Sequence, residues 1–125
     1  MLSREIPREE WTRFFDQFSK QHQGWIVRVE VLGLDLGDQE EAARLPLVGI
    51  SAEAKPVEKS VEIIVGNKPE DRATRIIQNP ARIWFKRPEE PGDEAVEVED
   101  TDGRKTLVTF ARIPPEQTDR QLPGA

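Results

Sequence analysis

The stretch Gly24-Trp25-Ile26-Val27-Arg28-Val29-Glu30-Val31-Leu32-Gly33 constrains the fold of this chain more than any other. In an extended backbone Trp25, Val27, Val29 and Val31 fall on one face, and Ile26, Arg28, Glu30 and Leu32 on the other. β-Branched and aromatic residues alternating between two glycines read as a long antiparallel strand. One of its faces is continuously apolar and has to be covered.

Residues 6 to 22 supply the cover as an amphipathic helix. Pro7 suits a first helical position, and Glu9 and Glu10 suit the positive end of the helix. Trp11, Phe14, Phe15 and Phe18 follow the i, i+3, i+4, i+7 spacing, so their rings share one stripe. Fully buried, four such side chains contribute at most about 6–12 kcal/mol. Gly24 stands just beyond the last turn. The expected role of the stripe is to cap the sheet rather than to hold a ligand.

Further strands follow in order. Leu34 to Arg44 reads as a connection, with Asp38 and Glu41 as a capping box for one helical turn through Ala42-Ala43. Its acids Asp35, Asp38, Glu40 and Glu41 lack the spacing and central glycine of a calcium loop. Leu45–Ala54 is a strand whose Gly49 marks a bulge or bend. Lys55 to Lys59 is a turn, and Val61, Ile63 and Val65 define the next strand. A turn at Asn67 to Asp71, a short strand from Thr74 to Ile77 and a break at Asn79-Pro80 come after it. Arg82 to Lys86 is a strand closed by Pro88 to Gly92. Glu94–Asp100 and Arg104–Arg112 form a hairpin around Thr101-Asp102-Gly103. A three-residue loop with Gly103 left-handed sets Val96 opposite Val108 and Val98 opposite Thr106, the register that gathers the most apolar residues on one face. Residues 1–112 are expected to form one domain, and residues 113–125 a disordered tail.

The fold class that follows is α+β and mainly β. It is a six- or seven-stranded antiparallel sheet, strongly bent or closed into a small barrel, capped by the N-terminal helix.

Function is less legible. The chain has no cysteine, no tyrosine and one histidine, His22, so thiolate chemistry is excluded and the usual general base is scarce. His22 reads as a helix C-terminal residue favoured by the dipole. Ser3, Ser19, Ser51 and Ser60 have no nucleophile-elbow context, and the glycines are isolated rather than clustered as in a phosphate loop. No catalytic, cofactor-binding or metal-ligating residue is assigned, and no cofactor is expected. A net charge of -6 argues against a nucleic-acid partner. No apolar run is long enough to span a bilayer and the N-terminus is not of signal-peptide type, so a cytoplasmic protein without a membrane partner is expected.

Charge is unevenly placed. Six basic residues (Lys68, Arg72, Arg75, Arg82, Lys86 and Arg87) face two acids between Gly66 and Pro88, whereas Glu89 to Asp102 holds eight acids and no base. Pairing of these segments as a hairpin sets Arg82, Trp84 and Lys86 over Ala95, Glu97 and Glu99, with Ile83 and Phe85 over Val96 and Val98. Arg72, Arg75, Arg82, Trp84 and Lys86 are the possible contact surface. The function expected is a non-catalytic binding or interaction module whose partner, a protein or small molecule, and oligomeric state stay open. A small-ligand-binding barrel and, behind it, an acid/base enzyme using carboxylates are the alternatives.

Arg4 to Trp11, Phe14 to Ser19, Gly24-Trp25 and its strand, Leu45 to Ser51 and Asn79 to Trp84 together resemble a family of short bacterial proteins, domain of unknown function 5335. The resemblance spans residues 4 to about 112 and implies no activity, so no functional residue is carried over. It implies histidines in relatives near the positions held here by Asp71-Arg72-Ala73-Thr74-Arg75, which puts any histidine-dependent site in doubt for this chain.

Overall fold

The structure, a computed structural model, describes residues 2–33, 37–55, 59–87 and 93–112, and of residues 37–44 the backbone alone. These residues form the strands β1 (Leu2–Glu5), β2 (Ile26–Gly33), β3 (Gly37–Ala54), β4 (Lys59–Val65), β5 (Ala73–Gln78), β6 (Pro80–Arg87), β7 (Glu94–Asp100) and β8 (Lys105–Ala111), and the helix α1 (Trp11–His22). All pairings are antiparallel, in the order β1-β6-β7-β8-β2-β3-β4-β5. The sheet is bent but open: β1 and β5 are its two edges and do not pair. Of the two expected forms, bent sheet and small barrel, it takes the first.

The bend is visible at one residue. Asn79 alone separates β5 from β6, although these strands lie at opposite ends of the sheet order. The chain turns there in the left-handed region (φ 52°), which asparagine tolerates better than most residues. The Asn79 N–H donates to the Lys59 carbonyl and the Thr101 N–H donates to the Asn79 carbonyl, both at 3.0 Å. One residue thus ties the start of β4 to the turn after β7.

The concave side is filled by α1. Trp11, Phe15 and Phe18 are buried, and they share a core with Val27, Val29, Ile63, Ile83, Val96, Val98, Val108 and Phe110. Phe14 is half-buried, its ring packing edge-on against Phe85 at 5.9 Å. Val27, Val29 and Val31 all point inward, as their alternation requires.

Helix α1 also replaces a missing strand. β2 pairs with β3 only as far as Ile26 opposite Pro46. Two further backbone bonds, Gly24 N–H to the Leu47 carbonyl at 2.9 Å and Leu47 N–H to the Trp25 carbonyl at 2.8 Å, extend the contact slightly. Past that point α1 lies along the edge of β3. The Ser19 hydroxyl accepts from the Ile50 N–H at 2.8 Å and donates to the Ile50 carbonyl at 2.6 Å, and the Thr12 hydroxyl donates to the Ala52 carbonyl at 3.2 Å. A single hydroxyl satisfies both backbone groups of Ile50, as a neighbouring strand would.

Several expectations hold in detail. The β7–β8 loop puts Gly103 at φ 87°, Val96 opposite Val108 and Val98 opposite Thr106. Ile83 pairs with Val98 and Phe85 with Val96. The ladder slips between Leu47 and Gly49, where the bulge was expected.

Three expectations are corrected. The helix was placed from residue 6, but a 3-10 turn occupies Arg8–Glu10 and α1 begins at Trp11. Ile6 precedes a proline, which disfavours helical backbone; it is buried and its N–H donates to the Ile83 carbonyl at 2.8 Å. Leu2–Glu5 forms an eighth strand, whose four exposed residues carry no alternation that would reveal it. The helical turn expected over Asp38 to Ala43 is strand instead, because β3 runs back along β2 with Gly37 opposite Gly33 and Ala42 opposite Val29. The tip at residues 34–36, the side chains of the acidic group, the proline-bearing turns at 56–58 and 88–92 and the tail at 113–125 lie outside the described residues.

Two predictions test this architecture by denaturant unfolding. Ser19→Ala leaves the Ile50 N–H without its acceptor and should cost about 1–3 kcal/mol. At Gly66 (φ 142°) an added Cβ would stand 2.8 Å from the Arg72 Cα, a backbone atom. Gly66→Ala should therefore destabilise by about 1–3 kcal/mol or more, whereas Gly49→Ala, with nothing within 4 Å of its Cβ, should be tolerated.

Candidate functional site

The seam where α1 runs beside β3 opens into a groove of about 630 Å³. Glu9, Thr12, Arg13, Asp16 and Ser19 line it from the helical side, and Gly49 to Ala52 with Ile64 from the sheet. The helical residues recur every three or four positions, so they form one stripe beside the buried aromatic one. Glu9, Arg13 and Asp16 are exposed and set two carboxylates and one guanidinium along the rim. The floor is open at Gly49, which has no side chain and where no atom stands within 4 Å of the place a Cβ would take.

The floor is also a strand edge. The N–H and carbonyl of Ile50 face α1, so by antiparallel alternation those of Ala52 and Ala54 face the same way. The two inner hydroxyls of the groove, Ser19 and Thr12, are engaged with this edge. The groove thus combines backbone groups of β3 with a rim of mixed charge.

His22 is the last residue of α1, where its position in sequence put it. It is buried, stacked on Phe18 with ring centroids 3.8 Å apart and packed near Trp25 and Phe110. Its Nδ1 is 2.9 Å from the Phe18 carbonyl, which only accepts, so Nδ1 carries a proton. Its Nε2 is 2.9 Å from Glu94 Oε1, and that contact holds a further proton on one atom or the other. The Glu94 side chain is 20% exposed against 6% for His22. Both ring nitrogens are therefore occupied, and the pair fastens the end of α1 to the start of β7. No spacing in sequence reveals it, since the partners are 72 positions apart.

The five residues of the expected contact surface fall into two groups. Arg82, Trp84 and Lys86 share the outward face of β6, opposite Ile83 and Phe85. Trp84 stands between Glu5 of β1 and Glu97 of β7, Arg82 is opposite Glu99, and Lys86 Nζ is 3.1 Å from Glu97 Oε1. Arg72 is exposed in the turn before β5. Arg75 lies on the inward face of β5 with Ile77, half-buried and engaged by other groups. The structure brings the β6 trio together and does not join Arg72 and Arg75 to it. The groove escaped sequence reading because its residues come from four elements, the 3-10 turn, α1, β3 and β4; the polar stripe at Thr12, Asp16 and Ser19 was the one available signal.

Among the described residues no group of three or more His, Asp or Glu could hold a metal ion, and no helix is long and apolar enough to cross a membrane. No solved structure matches the chain. An uncharacterized protein of Aquifex aeolicus (strain VF5) is 29% identical over 109 residues, which cover 86% of this chain and 91% of that relative. Residues 2–120 match the family of unknown function DUF5335, the family that the motifs around Trp11, Gly24-Trp25 and Asn79-Pro80 resemble, and the chain belongs to it.

Proposed function

We propose that this chain is a non-catalytic interaction module of the bacterial cytoplasm that receives an extended segment of a partner protein in the groove between α1 and β3. The observation that carries this reading is the groove along the β3 edge: Ser19 and Thr12 take both backbone groups of Ile50 and the Ala52 carbonyl, and past them the edge runs on to Ala54. An extended segment laid there would meet the edge beyond Ala52 and the charged rim of Glu9, Arg13 and Asp16. Main-chain pairing supplies affinity in such sites, and the rim charges supply register.

The other readings find less support. A small-ligand barrel needs an empty mouth, and here Trp11, Phe15, Phe18 and Phe110 occupy the concave side. An acid/base enzyme needs a group free to move a proton, and the buried His22 and Glu94 are engaged with each other. Nucleic-acid binding needs a basic face, and the β6 cations lie among Glu97, Glu99 and Glu5.

The test is titration of the isotopically labelled protein with a library of extended peptides. Shifts should centre on Thr12 to Ser19, Gly49 to Ala52 and Ile64. Gly49→Trp should fill the groove and weaken binding at least about tenfold while leaving the spectrum of the core unchanged. Binding that survives Gly49→Trp undiminished would rule the groove out.

A further inference from the structure

We infer that β5 is a self-association edge, where two copies of this chain pair antiparallel about a twofold axis through Ile76 and join their sheets into one. The inference goes beyond the groove, since β5 is a different edge and neither depends on the other.

Among the described residues β5 ends the sheet order, with β4 on one side and no hydrogen-bonded strand on the other. Which of its backbone groups are available follows from one bond. The Asn79 N–H donates to the Lys59 carbonyl, and the ladder continues through Ser60 opposite Gln78 and Val61 opposite Ile77. In an antiparallel pair hydrogen-bonded positions alternate, so Ile77, Arg75 and Ala73 turn their amides and carbonyls to β4. Thr74, Ile76 and Gln78 turn theirs outward.

The side chains on that edge suit a second copy. Ile76 is 49% exposed, one of two large exposed apolar residues among those described. It lies on the outward face between Thr74 and Gln78, both exposed, so that face of β5 bears no charge. A twofold pairing through Ile76 sets Ile76 against its own copy and Thr74 against Gln78 of the other chain. The two isoleucines cover each other, threonine meets an amide, and no like charges meet. All three outward residues are then at hydrogen-bonding positions. Arg75, on the opposite face, falls beside Ile77 of the second copy and is offset from the other Arg75. Exposed edge strands are usually blunted by proline, lysine or a bulge. β5 has no proline and no lysine and its ladder with β4 is unbroken; the inward-pointing Arg75 is the one blunting device it carries, and it leaves the outward face to Thr74, Ile76 and Gln78.

The experiment is analytical ultracentrifugation of the full chain from micromolar to millimolar concentration, with amide hydrogen exchange on the same samples. The wild type should pass from monomer to dimer, and the outward amides of Thr74, Ile76 and Gln78 should slow in exchange as the dimer forms. Ile76→Lys should remain monomeric throughout with an unchanged melting temperature. Because the chain has no cysteine, Ile76→Cys offers a clean second variant that should cross-link to a covalent dimer on oxidation. A wild type that stays monomeric at millimolar concentration overturns the inference. So does a dimer that survives Ile76→Lys, or one in which the β5 amides exchange as fast as in the monomer.

Discussion

The docking of one aromatic helical stripe into the hollow of a bent sheet is the contact on which the other features of this structure depend. Trp11, Phe15 and Phe18 fill space that the sheet cannot fill by closing, and Phe110 and Phe85 meet them from the opposite wall. The docked rings place the neighbouring polar stripe of the same helix against β3. Only then can Ser19 and Thr12 reach the backbone of Ile50 and Ala52. The helix thus satisfies two requirements that are normally met by separate elements. It supplies apolar volume to the interior, and it supplies hydrogen-bond partners to an edge that β2 is too short to cover.

What could be read from the residues divides along the same line. Alternation revealed the inward faces of β2, β4, β7 and β8, because burial on one face of a strand imposes a period of two on the chain. It also revealed the β7–β8 register, because only one loop geometry puts Val96, Val98, Val108 and Phe110 together. Elements held by pairing alone left no such trace. β1 is exposed along its length and is recognisable only from its ladder with β6. The backbone of residues 37–44 is strand because β2 offers it a partner, while its local residues favour a helical turn.

Candidate sites were still less legible, since each is built from residues far apart in the chain. Ser19 looked idle for want of a catalytic motif, yet it holds two backbone groups of β3 through one oxygen. His22 read as a helix C-terminal residue favoured by the dipole, and Glu94 of β7 also makes it an anchor. In both cases the partner of the side chain stayed hidden. Hydrogen-bond partners across long sequence separations leave no periodicity to detect.

The way the hollow is filled bears directly on the kind of ligand the chain can take. A bent sheet ordinarily offers its concavity to a small molecule, and here α1 occupies that space with buried rings. Recognition then falls to surfaces that closure would have removed, namely strand edges and the seam beside the helix. An exposed strand edge presents backbone donors and acceptors at strand spacing, which match an extended polypeptide, and the seam adds a rim of mixed charge. Openness of the sheet and fullness of its interior both favour the proposal that this fold receives an extended stretch of chain.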